Sequence, residues 1–238
     1  METSTRLEHP AARPVAGKRP ALAAQEIEKS FGATRALRGV SVAFETGTIH
    51  AMVGENGAGK STLTHILSGA LTADAGRILI DGGPVVLRTP LDAKVLGIRM
   101  VHQHDTLVPN LTVTENILLG QMPRRRSGML DWTAAHDRAR AILAELGHPR
   151  LDVRAPAWRL SAVQRQMVEL AKAVAVPPRV LILDEPTASL TQRDVDHLFA
   201  FLRALRDRSV AIIYISHRLD EVLELADHVT VLRDGMIT

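Results

Sequence analysis

The chain contains no cysteine, which excludes a disulfide framework and any zinc or iron–sulfur centre built on thiolates. Aromatic residues are scarce, with four Phe, two Trp and one Tyr, too few for the stacking platforms that grip single-stranded nucleic acid. No apolar run approaches the roughly 18 residues of a membrane-spanning helix. The amino-terminal stretch lacks the apolar centre of a secretory signal, so export is not expected. A strong excess of one charge is also missing. The net charge is +3, and the first 20 residues hold Arg6, Arg13, Lys18 and Arg19 against Glu2 and Glu8. The remainder is left with 25 basic and 24 acidic side chains. The basic excess therefore belongs mostly to a tail, residues 1–20, that has Pro10, Pro14 and Pro20 and no apolar periodicity. That tail reads as disordered, and a nucleic-acid partner is not expected. Internal repeats and low-complexity segments are absent from the sequence.

What is present is a chain of 238 residues, 46% hydrophobic and 23% charged. That is enough to bury a core without covalent staples. From about Leu22, short apolar runs alternate with turns and amphipathic stretches. Residues 47–53 (GTIHAMV) read as a buried strand entering a glycine-rich turn, and Lys60–Ala70 has helical spacing with Leu63, Ile66, Leu67 and Ala70 on one face. Further strands are expected at 77–80, 180–183, 210–215 and 228–232, the last of these closing the sheet. Helices are expected at 132–146, 161–176, 192–206 and 218–226. The run Val180-Leu181-Ile182-Leu183 is continuously apolar, as in a parallel strand covered on both faces. Alternation of strands and helices predicts an α/β domain with a largely parallel sheet. Residues 104–176 carry helical patterns with no strand between them and read as a helical subdomain inserted into a domain spanning 21–238.

Gly54-Glu55-Asn56-Gly57-Ala58-Gly59-Lys60-Ser61 fills every required place of the phosphate-loop pattern, with Thr62 following. Small residues let successive backbone N–H groups curl around phosphate oxygens, and the helix that follows aims its positive end at them. Lys60 is expected to meet the β- and γ-phosphates and the Ser61 hydroxyl to bind Mg²⁺. The expected strand before and helix after are the context the motif needs. A second acidic pair, Asp184 and Glu185, lies at the end of an apolar strand, where open α/β sheets bind ligands. Asp184 is expected to hold Mg²⁺ directly or through water, and Glu185 to accept a proton from an attacking water. Lys60 and Asp184 are too far apart in sequence for neighbouring βαβ units, which again calls for an insertion between them.

In this order the motifs resemble those of the nucleotide-binding domain of ATP-binding cassette (ABC) transporters, over nearly everything from about residue 22 onward. The resemblance implies the ABC ATPase fold: a P-loop α/β domain with a mainly parallel sheet, an amino-terminal antiparallel β portion and an inserted helical subdomain. It implies ATP and Mg²⁺ as ligands. Gln103, in MVHQH, matches the family's Q-loop glutamine, which meets Mg²⁺ and water and relays to the membrane subunits. Leu160-Ser161-Ala162-Val163-Gln164 stands at the signature, through which Ser161 and Gln164 would meet nucleotide held by a second cassette. Ala188-Ser189-Leu190-Thr191 falls at the D-loop. His217, in YISHR, matches the switch histidine at the γ-phosphate, and Phe31, in KSFG, the aromatic that stacks on adenine. The wording GENGAGKSTL, LVPNLTVTENILLG, QMVELAKA, DEPTASLT and YISHRLDEV is similar to the first half of the duplicated ATPases that power bacterial monosaccharide importers of the ribose, galactose and xylose type.

The resemblance therefore implies an ATP-hydrolysing energy-coupling subunit of an importer, peripheral on the cytoplasmic face of the bacterial inner membrane. Its partners would be a second cassette, transmembrane permease subunits and, indirectly, an extracytoplasmic solute-binding protein. A sugar is the solute implied; a nucleoside or other small polar solute is the alternative. One residue departs from the pattern. The fourth signature position, normally glycine in the family, is Val163, and a β-branched residue there adds methyl groups where close backbone approach is needed. An impaired signature beside an otherwise complete set of motifs suggests one strong and one weak ATP site in an assembled pair. The alternative is that neighbouring residues shift to accommodate the valine. Two other classes stay open at this stage: a soluble ABC protein acting on ribosomes or DNA, and an ATP-gated module that binds without hydrolysing.

Overall fold

A computed structural model describes residues 20–102 and 106–238. The described chain opens with two long strands, β1 (Pro20–Phe31) and β2 (Thr34–Glu45), then β3 (Ile49–Val53) and α1 (Lys60–Leu67). Next come β4 (Ala75–Ile80), β5 (Gly83–Val85), α2 (Pro90–Val95) and β6 (Ile98–Val101). Helices α3 (Val113–Ile117), α4 (Trp132–Glu145) and α5 (Ala162–Val174) follow, with a 3-10 turn at Ala157–Arg159 ahead of α5. The rest alternates: β7 (Val180–Asp184), α6 (Gln192–Asp207), β8 (Ala211–Ile215), α7 (Leu219–Leu225), β9 (His228–Arg233) and β10 (Met236–Ile237).

Two sheets form, with strand orders β2-β1-β4-β5 and β10-β9-β3-β8-β7-β6. The first is antiparallel throughout. In the second, β9, β3, β8, β7 and β6 all run parallel and only β10 turns back. The sequence dictates why the centre of the larger sheet is covered on both faces. Every residue of β7 (VLILD) and β8 (AIIYI) is buried, and side chains alternate between faces along a strand. Leu181, Leu183, Ile212 and Tyr214 enter one core with the apolar stripes of α4, α5 and α6. Val180, Ile182, Ala211, Ile213 and Ile215 enter a second core with Leu63, Ile66 and Leu67 of α1 and the inner face of the antiparallel sheet.

Helix starts follow the Ser/Thr-x-x-acid/amide spacing. Thr89/Asp92, Thr112/Glu115, Ser161/Gln164 and Thr191/Asp194 each form a reciprocal capping box that satisfies two otherwise orphaned backbone N–H groups. Between β6 and β7 the described residues carry helices and two isolated bridges, Thr112↔Pro156 and Arg124↔Leu130. Within that region Asn116 is wholly buried. Its amide donates to the carbonyls of Val108, Leu111 and Thr112 and accepts from the Val108 N–H, fixing the loop ahead of α3.

Two details differ from the sequence expectation, and a third is one on which it is silent. Helix α1 stops at Leu67 rather than Ala70, because Ser68 and Gly69 already bond back to Thr64 and Ile66 as the chain turns out. Strand β9 is not the last: Asp234-Gly235 reverses the chain and β10 pairs Met236 with Arg233. The β1–β2 ladder slips register between Ala24 and Ile27, where Glu26 has φ 50°, and a bulge of this kind breaks the period-2 pattern. The expected tail, apart from Pro20, which opens β1, lies outside the described residues.

Leu181 is fully buried where β7 meets the helical layer. Leu181→Ala is expected to lower unfolding free energy by about 2–5 kcal/mol. The control Leu223→Ala, at a residue 82% exposed, is expected to stay within about 0.5 kcal/mol. Urea denaturation of the two variants checks the difference.

Candidate functional site at the carboxyl ends of the parallel strands

Because β3, β8, β7 and β6 are parallel neighbours, their carboxyl ends share one edge, and a buried strand can offer polar groups only there. The loop Gly54–Ser61 leaves β3, Asp184 and Glu185 end β7, and His217 follows β8. They meet around an open cleft of about 650 Å³ lined by Gly54–Gly57, Gly59–Thr62, Asp184, Glu185 and His217. Of the expected loop residues, Ala58 alone faces away. It is buried, its N–H donates to the Glu55 carbonyl and its own carbonyl accepts from the Gly235 N–H.

Two glycines are required by close approach. A Cβ on Gly54 would sit 2.2 Å from the Leu232 carbonyl oxygen, and one on Gly59 2.6 Å from that of Ala36. Gly59, at φ 105°, is the N-cap of α1 and offers no side chain to the first turn. The orphan N–H groups of that turn therefore face the loop rather than a capping oxygen. Lys60 is buried, and its ammonium donates to the carbonyls of Gly54 (2.6 Å) and Glu55 (3.0 Å). The loop thus holds a fixed positive charge at its mouth.

Asp184 is 8% exposed. Burial, and then the neighbouring Glu185, push its pKa above the ordinary carboxylate value, while His65, His102 and Lys60 pull the other way by less. Glu185 stands at φ 49°, a region that non-glycine residues enter at a cost of about 1–2 kcal/mol. Its N–H donates to the Ile215 carbonyl at 3.0 Å. This backbone turn brings Oε1 to 3.0 Å from His217 Nδ1. A carboxylate oxygen accepts, and the tautomer that suits this contact carries its proton on Nδ1 and turns Nε2 to the cleft or solvent. His217 itself is exposed.

No group of three or more His, Asp or Glu side chains poised for a metal exists among the described residues. Ser61 and Asp184 supply oxygen donors on one cleft, and the charge of Asp184 is opposed by burial and by Glu185. Such a partial, hard, under-compensated donor set fits a divalent cation that completes its shell with phosphate oxygens and water.

The remaining expected residues lie apart from this cleft. Gln103 is outside the described residues. Phe31 is at the tip of the β1–β2 hairpin with its ring 53% exposed, and the Lys29 ammonium lies 5.7 Å from the ring centroid. Asp74 anchors that tip by accepting from Lys29 and from the Ser30 N–H. Exposed Ser161 and half-buried Gln164 start α5, where each side chain is committed to the other's backbone N–H. Neither lines the cleft that holds Lys60. Sequence reading missed Thr187, Ser216 and Glu221, buried polar residues behind the cleft. One signal was available: Glu221 lies four residues before Leu225 and so shares the apolar face of a short helix.

Comparison with known proteins agrees on one family. The profile of the ABC transporter family matches residues 37–188. Ribose import ATP-binding protein RbsA 1 of Streptomyces coelicolor is 49% identical over 219 residues, covering 92% of this chain and 43% of that protein. The putative ribose/galactose/methyl galactoside import ATP-binding protein 3 of Agrobacterium fabrum is 50% identical over 215 residues, covering 90% and 43%. The chain thus spans less than half the length of these curated relatives. Among solved structures, the ADP conformation of MJ1267, an ATP-binding cassette of an ABC transporter, superposes with a TM-score of 0.79 at 29% identity, covering 92% of this chain and 89% of that one.

The raised Asp184 pKa makes a signed prediction. In the unfolded chain the carboxyl ionises at its ordinary value, so between that value and the raised one the folded state binds more protons. Stability contributed by this residue therefore falls as pH rises through that window and stays reduced at neutral pH. Asp184→Asn, in the absence of nucleotide and metal, is expected to raise the melting temperature at pH 7 by a few degrees (about 2–4 °C per kcal/mol relieved in a domain this size). The gain should vanish below the ordinary carboxylate value. A lower melting temperature at pH 7 would show that the ionised carboxylate stabilises the fold.

Proposed function

The chain belongs to the ABC transporter family, and from that premise we propose that it binds Mg-ATP and hydrolyses it to drive import of a small hydrophilic solute, a sugar. One observation carries the reading: the phosphate loop with Lys60, the carboxylates Asp184 and Glu185, and His217 converge on a single cleft. The import ATP-binding proteins of ribose and galactose among its relatives favour a sugar over a nucleoside. Among the described residues no helix is long and apolar enough to cross a membrane. On the family and on the relatives named for import, the reading includes a second cassette, transmembrane permease subunits, a solute-binding protein reached through them, and a place on the cytoplasmic face of the bacterial inner membrane.

The chemistry is positioning and charge neutralisation. Backbone N–H groups of the loop and the α1 turn bind phosphate oxygens, and Lys60 brings its charge to the β- and γ-phosphates. Ser61, Asp184 and Gln103 are the residues that would hold Mg²⁺, whose bound charge offsets that of the phosphate oxygens. Glu185 takes the proton of the attacking water. His217 holds the Glu185 carboxylate through Nδ1 and keeps Nε2 for the terminal phosphate. Phe31 is suited to meet adenine from the hairpin beside the loop, since Ala36 and Leu37 of that hairpin abut Gly59.

A second reading rests on Val163. It is half-buried in the first turn of α5, next to the exposed Ser161. In a face-to-face pair that turn meets nucleotide held by the other cassette, and added methyl groups keep the backbone at a distance. The chain's own cleft then works against an intact partner signature, while the signature it offers in return is weak.

Two measurements test these readings. Glu185→Gln should keep Mg-ATP binding and lose turnover by about 10²-fold or more; full activity would remove Glu185 as the base. Val163→Gly in the two-cassette assembly should raise steady-state ATPase activity, by up to about a hundredfold if the displacement approaches 1 Å. An unchanged rate would mean that the valine is accommodated.

A further inference from the structure

Helix α7 buries three of its residues, Glu221, Val222 and Leu225. Two are the apolar side chains that such a face requires. The third is a carboxylate, 4% exposed, outside the lining of the cleft. A buried charge persists only when paired and hydrogen-bonded; in Glu221 one oxygen takes the hydrogen bonds and the other an ion pair without a hydrogen bond. Its Oε2 accepts from the hydroxyls of Tyr214 (2.7 Å), Thr187 (2.9 Å) and Ser216 (3.1 Å), and Arg218 reaches Oε1 at 2.5 Å. The Ser216 hydroxyl also accepts the Arg218 N–H at 3.0 Å. Tyr214 is wholly buried, edge-on to Phe199. Burial and the bond to Glu221 push its pKa up, so it remains a neutral donor.

The origin of these donors matters more than their number. Thr187 is two residues beyond Glu185 on the loop leaving β7. Ser216 immediately precedes His217 on the loop leaving β8. Tyr214 belongs to β8 itself, and Glu221 to the first turn of α7. One oxygen therefore joins the loop that carries Glu185 to the loop that carries His217. Those two loops must agree to within a few tenths of an ångström for the 3.0 Å contact between Glu185 and His217. Glu185 also holds an unfavourable backbone conformation at φ 49°, which persists only where the surroundings over-determine it.

We propose that Glu221 is a positioning residue of the hydrolytic site. By fastening Thr187 and Ser216 to one carboxylate oxygen, it fixes Glu185 and His217 relative to each other. The inference rests on the ATP-hydrolysis reading above and adds a residue that neither meets the nucleotide nor lines its cleft. Its signature is a defect in turnover without a defect in nucleotide binding, since the phosphate loop and Lys60 are not part of the network.

The test uses the full chain assembled with its second cassette and measures kcat, KM and the dissociation constant for Mg-ATP. Glu221→Leu, which removes the acceptor, is expected to lower kcat about tenfold or more with Mg-ATP affinity within about threefold of wild type. Glu221→Gln keeps a carbonyl acceptor for the three hydroxyls and should restore most of that loss. Thr187→Val cuts only the tie to the Glu185 loop and should lower kcat several-fold at unchanged KM. If Glu221→Leu fails to fold, Thr187→Val decides alone. Wild-type kcat in the folded variants, or a loss that appears in nucleotide affinity rather than in kcat, overturns the proposal and leaves the nucleotide reading standing. A wild-type protein that binds no Mg-ATP overturns the nucleotide reading and this one with it.

Discussion

Burial of a parallel sheet on both faces is the constraint from which the rest of the molecule follows. Strands β7 and β8 at the centre of the sheet are buried along their length and apolar up to Asp184, so along them neither face presents a polar group to solvent. Polar chemistry is left to the strand ends, and because the strands are parallel those ends lie on one side. A phosphate-binding turn, a pair of carboxylates and a histidine, distant in sequence, are thereby delivered to one cleft. The two cores that flank the sheet act as a clamp on that edge.

Charge at the edge is arranged in opposing pairs that differ in depth. Lys60 is buried against the carbonyls of its own loop. Asp184 sits opposite, its charge disfavoured by burial and by Glu185. Behind them Glu221 pairs with Arg218 through one oxygen and accepts from three hydroxyls on the other. The site thus has an under-compensated front and a back whose carboxylate is paired and triply hydrogen-bonded on one oxygen. On the proposal made for Glu221 the back holds shape, and the front is left with charge that a phosphate group and a dication can answer.

Legibility from sequence tracked how local each feature is. The phosphate loop was readable because all its requirements fall within eight consecutive residues, between a strand and a helix that declare themselves by period. Asp184 and Glu185 were readable because an apolar run points at them. The buried strands and the long amphipathic helices were placed to within a few residues for the same reason. Strands β1 and β2 were harder to place, because a register slip at Glu26 disrupts their alternation. The two-residue β10 depends on pairing rather than on pattern. Glu221 showed itself only as an acid on an apolar helix face, and its network did not show at all, since its donors come from β8 and two separate loops and only folding brings them to one oxygen. The position of Phe31 on an exposed hairpin tip likewise follows from tertiary packing, not from the KSFG wording.

The left-handed backbone at Glu185 sets two demands against each other. Glycine or asparagine would relax the main chain at that point, yet neither carries a carboxylate. On the role proposed for Glu185, selection for heat tolerance alone pulls this position away from chemistry, and selection for turnover pulls it back. A lineage released from the need to work would be expected to drift first at such a place, losing its acid while the surrounding architecture stays intact.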